Sequence, residues 1–566
     1  MLDFACTMKP SGAESGSALG PPQQTPEQIA NIFETFLAEY PKTAVVEEGK
    51  VLFDMANAQY SIGESHGRCT LHLWNEERNV VRTVSAATLR GSGLRLTTHR
   101  FGQSKPGSLE LLRDRERRTP VGRDTTRVRY LRLLERVMVR GSGLHWGDWK
   151  PEAFRTAMDL EKSFGPAYAR GSLVHGQQAW ALIAVNREET AAIVDGILTL
   201  GVLWLHECRE KAGGKRLYRG LRVVVPKGMG TLTASRLAWM NTQAAHWELW
   251  ELDERTEELE QRDPADHGNL TTRLVQAADE TGVRDRFRVA IPRVMALVPE
   301  EMRELAEQRA RGAAELAFLL HGLEFARVRA RHSGQSFNRV EEITVGASSN
   351  ETVLTDRNTD ELCGMIAELF ERRAAVRAGR DGVGANRERP SLDTARQNDP
   401  LYRMQPERWL ESVLRRDVAA LDDRLDPAHV YTQVPAFAAS DRGMLDLLGV
   451  DRDGRLAVIE LKADEDLQLA LQGLDYWVRV RWHHMQSADH SSGLGEFQRH
   501  GYFRGVRLSS EAPRLYLVAP ALRIHPATEI VLRYLSPRVQ WELVALDERW
   551  REKVRVVWRK YSGGRR

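Results

Sequence analysis

The chain has 566 residues, 42% hydrophobic and 28% charged, with a net charge of only +3. That length holds roughly three or four domains, and the near-neutral balance excludes a uniformly basic polyanion binder, so any nucleic-acid contact needs local patches. Cys6, Cys69, Cys208 and Cys363 are scattered without metal-ligand spacing, and nothing in their placement argues for disulfides.

Residues 1–25, rich in Pro, Gly and Ser, read as a disordered tail without the apolar core of a signal peptide, and a cytoplasmic protein is expected. Residues 26–125 open with a short helix and continue as alternating strands punctuated by turn signals, which predicts an N-terminal antiparallel β domain. Arg100–Gly107 reads as a hairpin connection within it, with a phosphate-contacting loop as the alternative.

Residues 126–262 read as an α/β unit. Thr190–Leu205 is the most apolar segment of the chain, yet it is short for a bilayer and contains Asp195, so a buried helix and no membrane partner are expected. Residues 263–380 read as a mainly helical connector, with Pro299-Glu300-Glu301 opening a long helix to about Leu320. Arg303, Arg309, Arg311, Arg327, Arg329 and Arg331 would form its solvated or backbone-contacting face. Residues 381–400 lose apolar periodicity and read as a linker.

Residues 401–566 carry the chemistry. Between Met444 and Lys462, two apolar strands flank the turn Asp451-Arg452-Asp453-Gly454, with Asp446 in the first and Glu460 and Lys462 in the second. Strand alternation puts Val458, Glu460 and Lys462 on one face. Charges on an apolar strand are costly to bury. They make sense as hard oxygen ligands for a divalent cation, with an ammonium beside a phosphate. Upstream, Pro406–Leu414 reads as a helix opened by proline and bearing Glu411. Downstream, Gln468, Gln472 and Tyr476 recur at spacing four on one helix face.

The arrangement Asp-x13-Glu-x-Lys across a hairpin resembles the PD-(D/E)xK nuclease superfamily, with a RecB-like or mismatch-endonuclease-like C-terminal domain. The resemblance implies a restriction-endonuclease-like α/β/α fold over residues 401–566. It also implies Mg²⁺ or Mn²⁺ held by Asp446, Glu460 and the Leu461 carbonyl, Lys462 serving the nucleophilic water, and Glu411, Gln472 and Tyr476 supporting the site. An ordinary same-face ion pair on a strand is the alternative reading of Glu460 and Lys462.

An internal repeat underlies the middle of the chain. Trp247–Arg255 matches Trp541–Arg549 at seven of nine positions, and Pro226 and Pro520 precede the two tryptophans by the same interval (247 − 226 = 541 − 520). A shift of 276 (411 − 135) then lays Glu135 on Glu411 and Ala181–Asn186 on Ala457–Lys462. On that alignment Arg170, Ala184 and Asn186 replace Asp446, Glu460 and Lys462, so residues 126–262 read as a degenerate nuclease-like copy that cannot bind metal. The second copy carries an insert around Ser487–Gly505, with Phe497, Tyr502 and Phe503 among basic residues, which reads either as a loop that stacks on bases or as a partly disordered surface loop.

Together these features predict an α/β protein acting as a metal-dependent endonuclease. The expected partner is nucleic acid, DNA in preference to RNA, and a homodimer would be needed to cut both strands in one visit. The alternative is an inactive nucleic-acid-binding or assembly protein that keeps the nuclease fold.

Overall fold

Thr25 and Gln28 cap the first helix reciprocally, each side chain accepting the other's backbone N–H, with Pro26 at the first turn. The computed structural model describes residues 24–563 except 42, 48–49, 56–57, 66–67, 75–78, 91–92, 100–106, 113–128, 141–148, 157–167, 265–271, 333–338, 347–350, 374–398, 439–440 and 486–493. Most of the N-terminal tail, the loop after Arg100, the body of the 381–400 linker and the start of the Ser487–Gly505 insert therefore lie outside the described residues. The chain divides into two compact units, Met1–Glu116 and Arg117–Arg566.

In the first unit, helix α1 (Pro26–Glu39) buries Ile29, Phe33, Phe36 and Leu37. They share a core with strands β1 (Ala44–Glu47), β2 (Lys50–Asp54), β3 (Gln59–Ser65), β4 (Arg68–Trp74), β5 (Asn79–Arg90), β6 (Gly93–His99) and β7 (Gly107–Leu112). The sheet order is β2-β1-β7-β6-β5-β4-β3 and every neighbour is antiparallel. This is the expected N-terminal antiparallel sheet.

The second unit is mixed α/β and opens with helix α2 (129–140). Strands β8 (Lys150–Thr156), β9 (Tyr168–His175) and β10 (Gln178–Val185) lead to helix α3 (Ala191–Ala212). Strand β11 (Leu217–Pro226), helix α4 (Thr231–Leu237), β12 (His246–Asp253) and β13 (Glu258–Arg262) complete a six-stranded sheet in chain order. Helix α3 is long and apolar enough to cross a membrane by length and composition, but 61% of its apolar window is buried inside the protein.

The segment after β14 (Thr272–Leu274) departs from the helical expectation. Short helices α5 (Glu280–Arg286) and α6 (Ala290–Met295) and one 3₁₀ turn, Glu300–Leu305, precede a five-stranded antiparallel sheet. Its strands are β15 (Ala306–Gly312), β16 (Glu315–Leu320), β17 (Leu323–His332), β18 (Arg339–Val345) and β19 (Thr352–Val353), and only then comes the longer helix α7 (Thr359–Arg373). The physical reason is legible in hindsight. Leu316–Leu320 is buried without a polar face, as an interior strand is, and Arg327 and Arg329 recur at spacing two, the period of a strand. Both arginines are spoken for by Glu315 and Glu351, so they are sheet pairs rather than a free basic face.

Helix α8 (Pro406–Arg416) then leads to β20 (Tyr431–Ala438), β21 (Asp441–Val450) and β22 (Leu456–Leu461). Helix α9 (Leu469–Met485), β23 (Arg514–Pro520), helix α10 (Pro526–Arg533), β24 (Trp541–Leu546) and β25 (Val556–Tyr561) follow. The sheet order is β14-β20-β21-β22-β23-β24-β25. In both large sheets an antiparallel hairpin feeds two parallel crossovers and ends on an antiparallel strand. The register agrees as well: Leu221 faces Trp247 and Leu515 faces Trp541, one constant shift apart (515 − 221 = 541 − 247).

The two α/β halves pack on each other through one apolar cluster that draws on α3, α4, α9 and α10. Trp239 meets Trp477 edge-on at 4.8 Å. Arg236 forks onto Asp475 at 2.9 and 2.7 Å. Asn241 N–H donates to the Tyr534 carbonyl and Ser536 N–H to the Trp239 carbonyl, a reciprocal exchange at equivalent places in the two halves.

Candidate active site

The β21–β22 hairpin forms because Asp451 closes its turn. Its side chain accepts the Asp453 and Arg455 N–H groups at 3.0 and 2.9 Å, and Gly454 takes a positive φ of 82°. The hairpin sets Leu447 opposite Ile459, so its register runs on to Asp446 opposite Glu460 (447 + 459 = 446 + 460). Ile459 and Leu461 face the core under α8, while Leu456 and Val458 face the core under α9.

Glu460 lies on the α9 side, where Gly473 makes the helix approach possible. A Cβ at Gly473 would sit 2.4 Å from Leu517 Cδ2 and 3.5 Å from Glu460 Cβ. This contact delivers Tyr476, which is buried, and half-buried Gln472, whose amide points at the Tyr476 hydroxyl at 3.5 Å, to the carboxylates. Gln468, read from sequence on the same face, instead accepts the Thr199 hydroxyl at 2.7 Å and so belongs to the interface between the halves.

Asp446 Oδ2 accepts the Leu461 N–H at 2.9 Å. Burial pushes the Asp446 carboxyl well above the usual range; Lys462 and the Leu461 N–H pull it back, and Glu407 and Glu411 push it further up. Glu460, 1% exposed, is raised by burial and by Asp446, against Lys462. Its Oε2 has no hydrogen-bond partner. Lys462 Nζ stands 3.5 Å from Glu460, 3.6 Å from Glu407 and 3.5 Å from Asp466. Burial alone would lower the Lys462 pKa, but the carboxylates of Glu460, Glu407, Asp466 and Asp446 outweigh it and raise it.

The structure thus brings together Asp446, Glu460, Leu461, Lys462, Gln472 and Tyr476. Glu411 is also buried beside them, but its oxygens are engaged elsewhere. Arg309 of β15 donates to Oε1 at 2.8 Å, while Gln433 and, at 3.4 Å, Arg408 serve Oε2. Gln433 holds a left-handed φ of 52°, a strained conformation for a non-glycine residue beside the site. Sequence reasoning missed Glu407, Asp466, Gln433 and Arg309. Glu407 was findable, one helical turn before Glu411 on the same face. Arg309 carried no such signal, since it arrives from a different sheet.

A divalent cation fits these residues. Two carboxylates of raised pKa oppose each other in a buried place, and one has an unpartnered oxygen. Among the described residues no three His, Cys, Asp or Glu side chains converge as a ready-made ligand set. Mg²⁺ does not need one, since it is usually held by one or two carboxylates and keeps its waters.

Two expectations about the surroundings are corrected. Phe497, Tyr502 and Phe503 are buried, packing around Tyr431 and one another with centroids 4.9–6.1 Å apart, so they fill the core rather than stack on bases. Their apolar bulk gains more from burial than from a wet loop. In the first half, strand pairing also moves the alignment by one residue. Glu460 pairs with Leu517, whose counterpart is Val223 (517 − 294), and Val223 pairs with Ile183. Ile183, not Ala184, therefore takes the Glu460 place, and Val185, not Asn186, that of Lys462. Arg170, opposite Ile183, keeps the place of Asp446, lying 4.3 Å over the Trp204 ring and 3.3 Å from Glu207.

No protein-family model matches this chain, and no curated protein gives a significant sequence match.

Proposed function

We propose that the chain is a metal-dependent nuclease of the PD-(D/E)xK type, hydrolysing phosphodiester bonds in DNA as an endonuclease through the second α/β half. The observation that carries this reading is the Asp446–Glu460–Lys462 cluster at the end of β22, with a lysine held between carboxylates and one carboxylate oxygen unclaimed. Asp446, Glu460 and the Leu461 carbonyl would hold Mg²⁺ or Mn²⁺. The cation, when bound, would activate water and screen the charge that builds on phosphorus.

The remaining work falls to the chain itself. Lys462, kept charged by four carboxylates, stabilises the phosphorane oxygens and orients the attacking water. Gln472 and Tyr476 present hydrogen-bonding groups from one helix face. At the matching places the first half carries Arg170, Ile183 and Val185 instead of the carboxylates and the lysine, so each chain makes one cut and the first half supports the active half as an internal partner. Incubation with Mn²⁺ and single-stranded, duplex, mismatched and branched DNA, beside Asp446→Ala, tests the reading. Cleavage lost in the variant supports it. Absence of cleavage together with absence of metal binding would leave an assembly or binding protein.

A further inference from the structure

Glu407 and Glu411 stand one helical turn apart on α8, facing the same cluster, yet the structure treats them differently. Glu411 is 1% exposed, and three donors occupy its two oxygens. Glu407 has a side chain 45% exposed, and among the described residues its ion-pair partner there is Lys462 at 3.6 Å. A carboxylate whose oxygens already accept charge-assisted hydrogen bonds has little to offer a cation, whereas an open one keeps its lone pairs.

The donor that captures Glu411 comes from the five-stranded sheet. Arg309 is buried, and besides Glu411 it donates to the Thr432 hydroxyl of β20 at 3.0 Å and to Glu307 at 3.1 Å. Glu307 in turn holds Ser412 and Arg416 of α8. One arginine of β15 is therefore tied to α8 and to β20, the strand beside the Asp446 strand.

We propose that Arg309 makes the five-stranded sheet a working part of the site. It is a positioning residue that keeps Glu411 outside the metal's ligand set and leaves Glu407 as the helix carboxylate that serves the cation. The inference rests on the nuclease reading of the same cluster. Removing Arg309 frees Glu411 Oε1, while Gln433 and Arg408 still serve Oε2, and a buried carboxylate oxygen without its guanidinium beside Asp446 adds to the attraction for a divalent cation.

Calorimetric titration of the full-length protein with Mn²⁺ tests this, comparing wild type with E407Q, E411Q, R309Q and R309Q/E411Q. Support is a loss of affinity of about tenfold or more in E407Q and a gain of about tenfold in R309Q, the scale on which supporting partners tune metal sites. The double variant should return to within about threefold of wild type, because the uncompensated charge is gone. Removing both partners together also guards against a misfolded R309Q, since a buried pair is costly to break singly and often neutral to replace. An affinity loss in E411Q matching that in E407Q, or a double variant that binds as tightly as a folded R309Q, overturns the assignment. A folded R309Q that binds as wild type does so too. Wild type that binds no Mn²⁺ instead overturns the nuclease reading, and the assignment with it.

Discussion

Lys462 Nζ lies 3.5 Å from Glu460 Oε1 at the end of strand β22, with Asp446 on the neighbouring strand. Among the described residues the lysine is the cation tightest against the carboxylate pair, so its loss should be felt in turnover before it is felt in substrate binding. Lys462→Met, which keeps the buried stem, should lower the cleavage rate by about a hundredfold or more, the scale for one removed transition-state donor. DNA affinity measured by fluorescence anisotropy should stay near wild type. Undiminished cleavage would sink the mechanism.

Gly473 sets how near α9 comes to that pair. Gly473→Val would press on Leu517 and on the Glu460 stem, and overpacking of this kind costs about 1–3 kcal/mol. Urea unfolding should show that loss. Single-turnover cleavage should fall in the folded variant as well, because Gln472 and Tyr476 are displaced with the helix.

Arg236 and Asp475 join the two α/β halves by a nearly buried two-pronged pair, with side chains 7% and 10% exposed. Asp475→Ala should cost about 3–5 kcal/mol, since it breaks a nearly buried ion pair in the interface. The double variant with Arg236→Met should recover part of that loss in a denaturant series. Equal stability of the single and double variants would show that the pair does not couple the halves.

Asp422 offers a pH test away from the site. Burial would raise its carboxyl, but hydrogen bonds from Arg424 and the Tyr516 hydroxyl prevail and bring it down to about 2 from an ordinary 3.8. Its folded pKa lies below its unfolded one, so its contribution to stability is full above about pH 4 and drains away as pH falls through about 2. Asp422→Asn should therefore be less stable than wild type at neutral pH, with the gap closing on acidification. A gap that is constant with pH would refute the ion-pair account.

Much of this was open to reading in the chain. Apolar alternation around Asp446 and Glu460, the Asp451–Gly454 turn and the proline-opened helix are local signals, and the hairpin and α8 lie where those signals put them. The matching Trp-Glu-Leu blocks showed the duplication because β12 and β24 kept their register. Residues 306–332 form strands where the local pattern predicts helix, because single arginines among apolar residues satisfy a helix template as readily as a strand. What decided between them was the glutamates on neighbouring strands, which no local window contains.

The sequence by itself determined which chemical groups are present and on which local elements they ride: Asp446, Glu460 and Lys462 on a hairpin, Glu407 and Glu411 on one helix face, and no carboxylates at the matching strand positions of the first half. Only the tertiary structure decided which of them are free to act. Burial of the aromatic insert, the one-residue offset that puts Ile183 in the place of Glu460, and the reach of Arg309 to Glu411 depend on contacts between residues far apart in the chain. Local propensity fixes hydrogen bonds a few residues long, whereas the partner that claims a buried charge is chosen by packing.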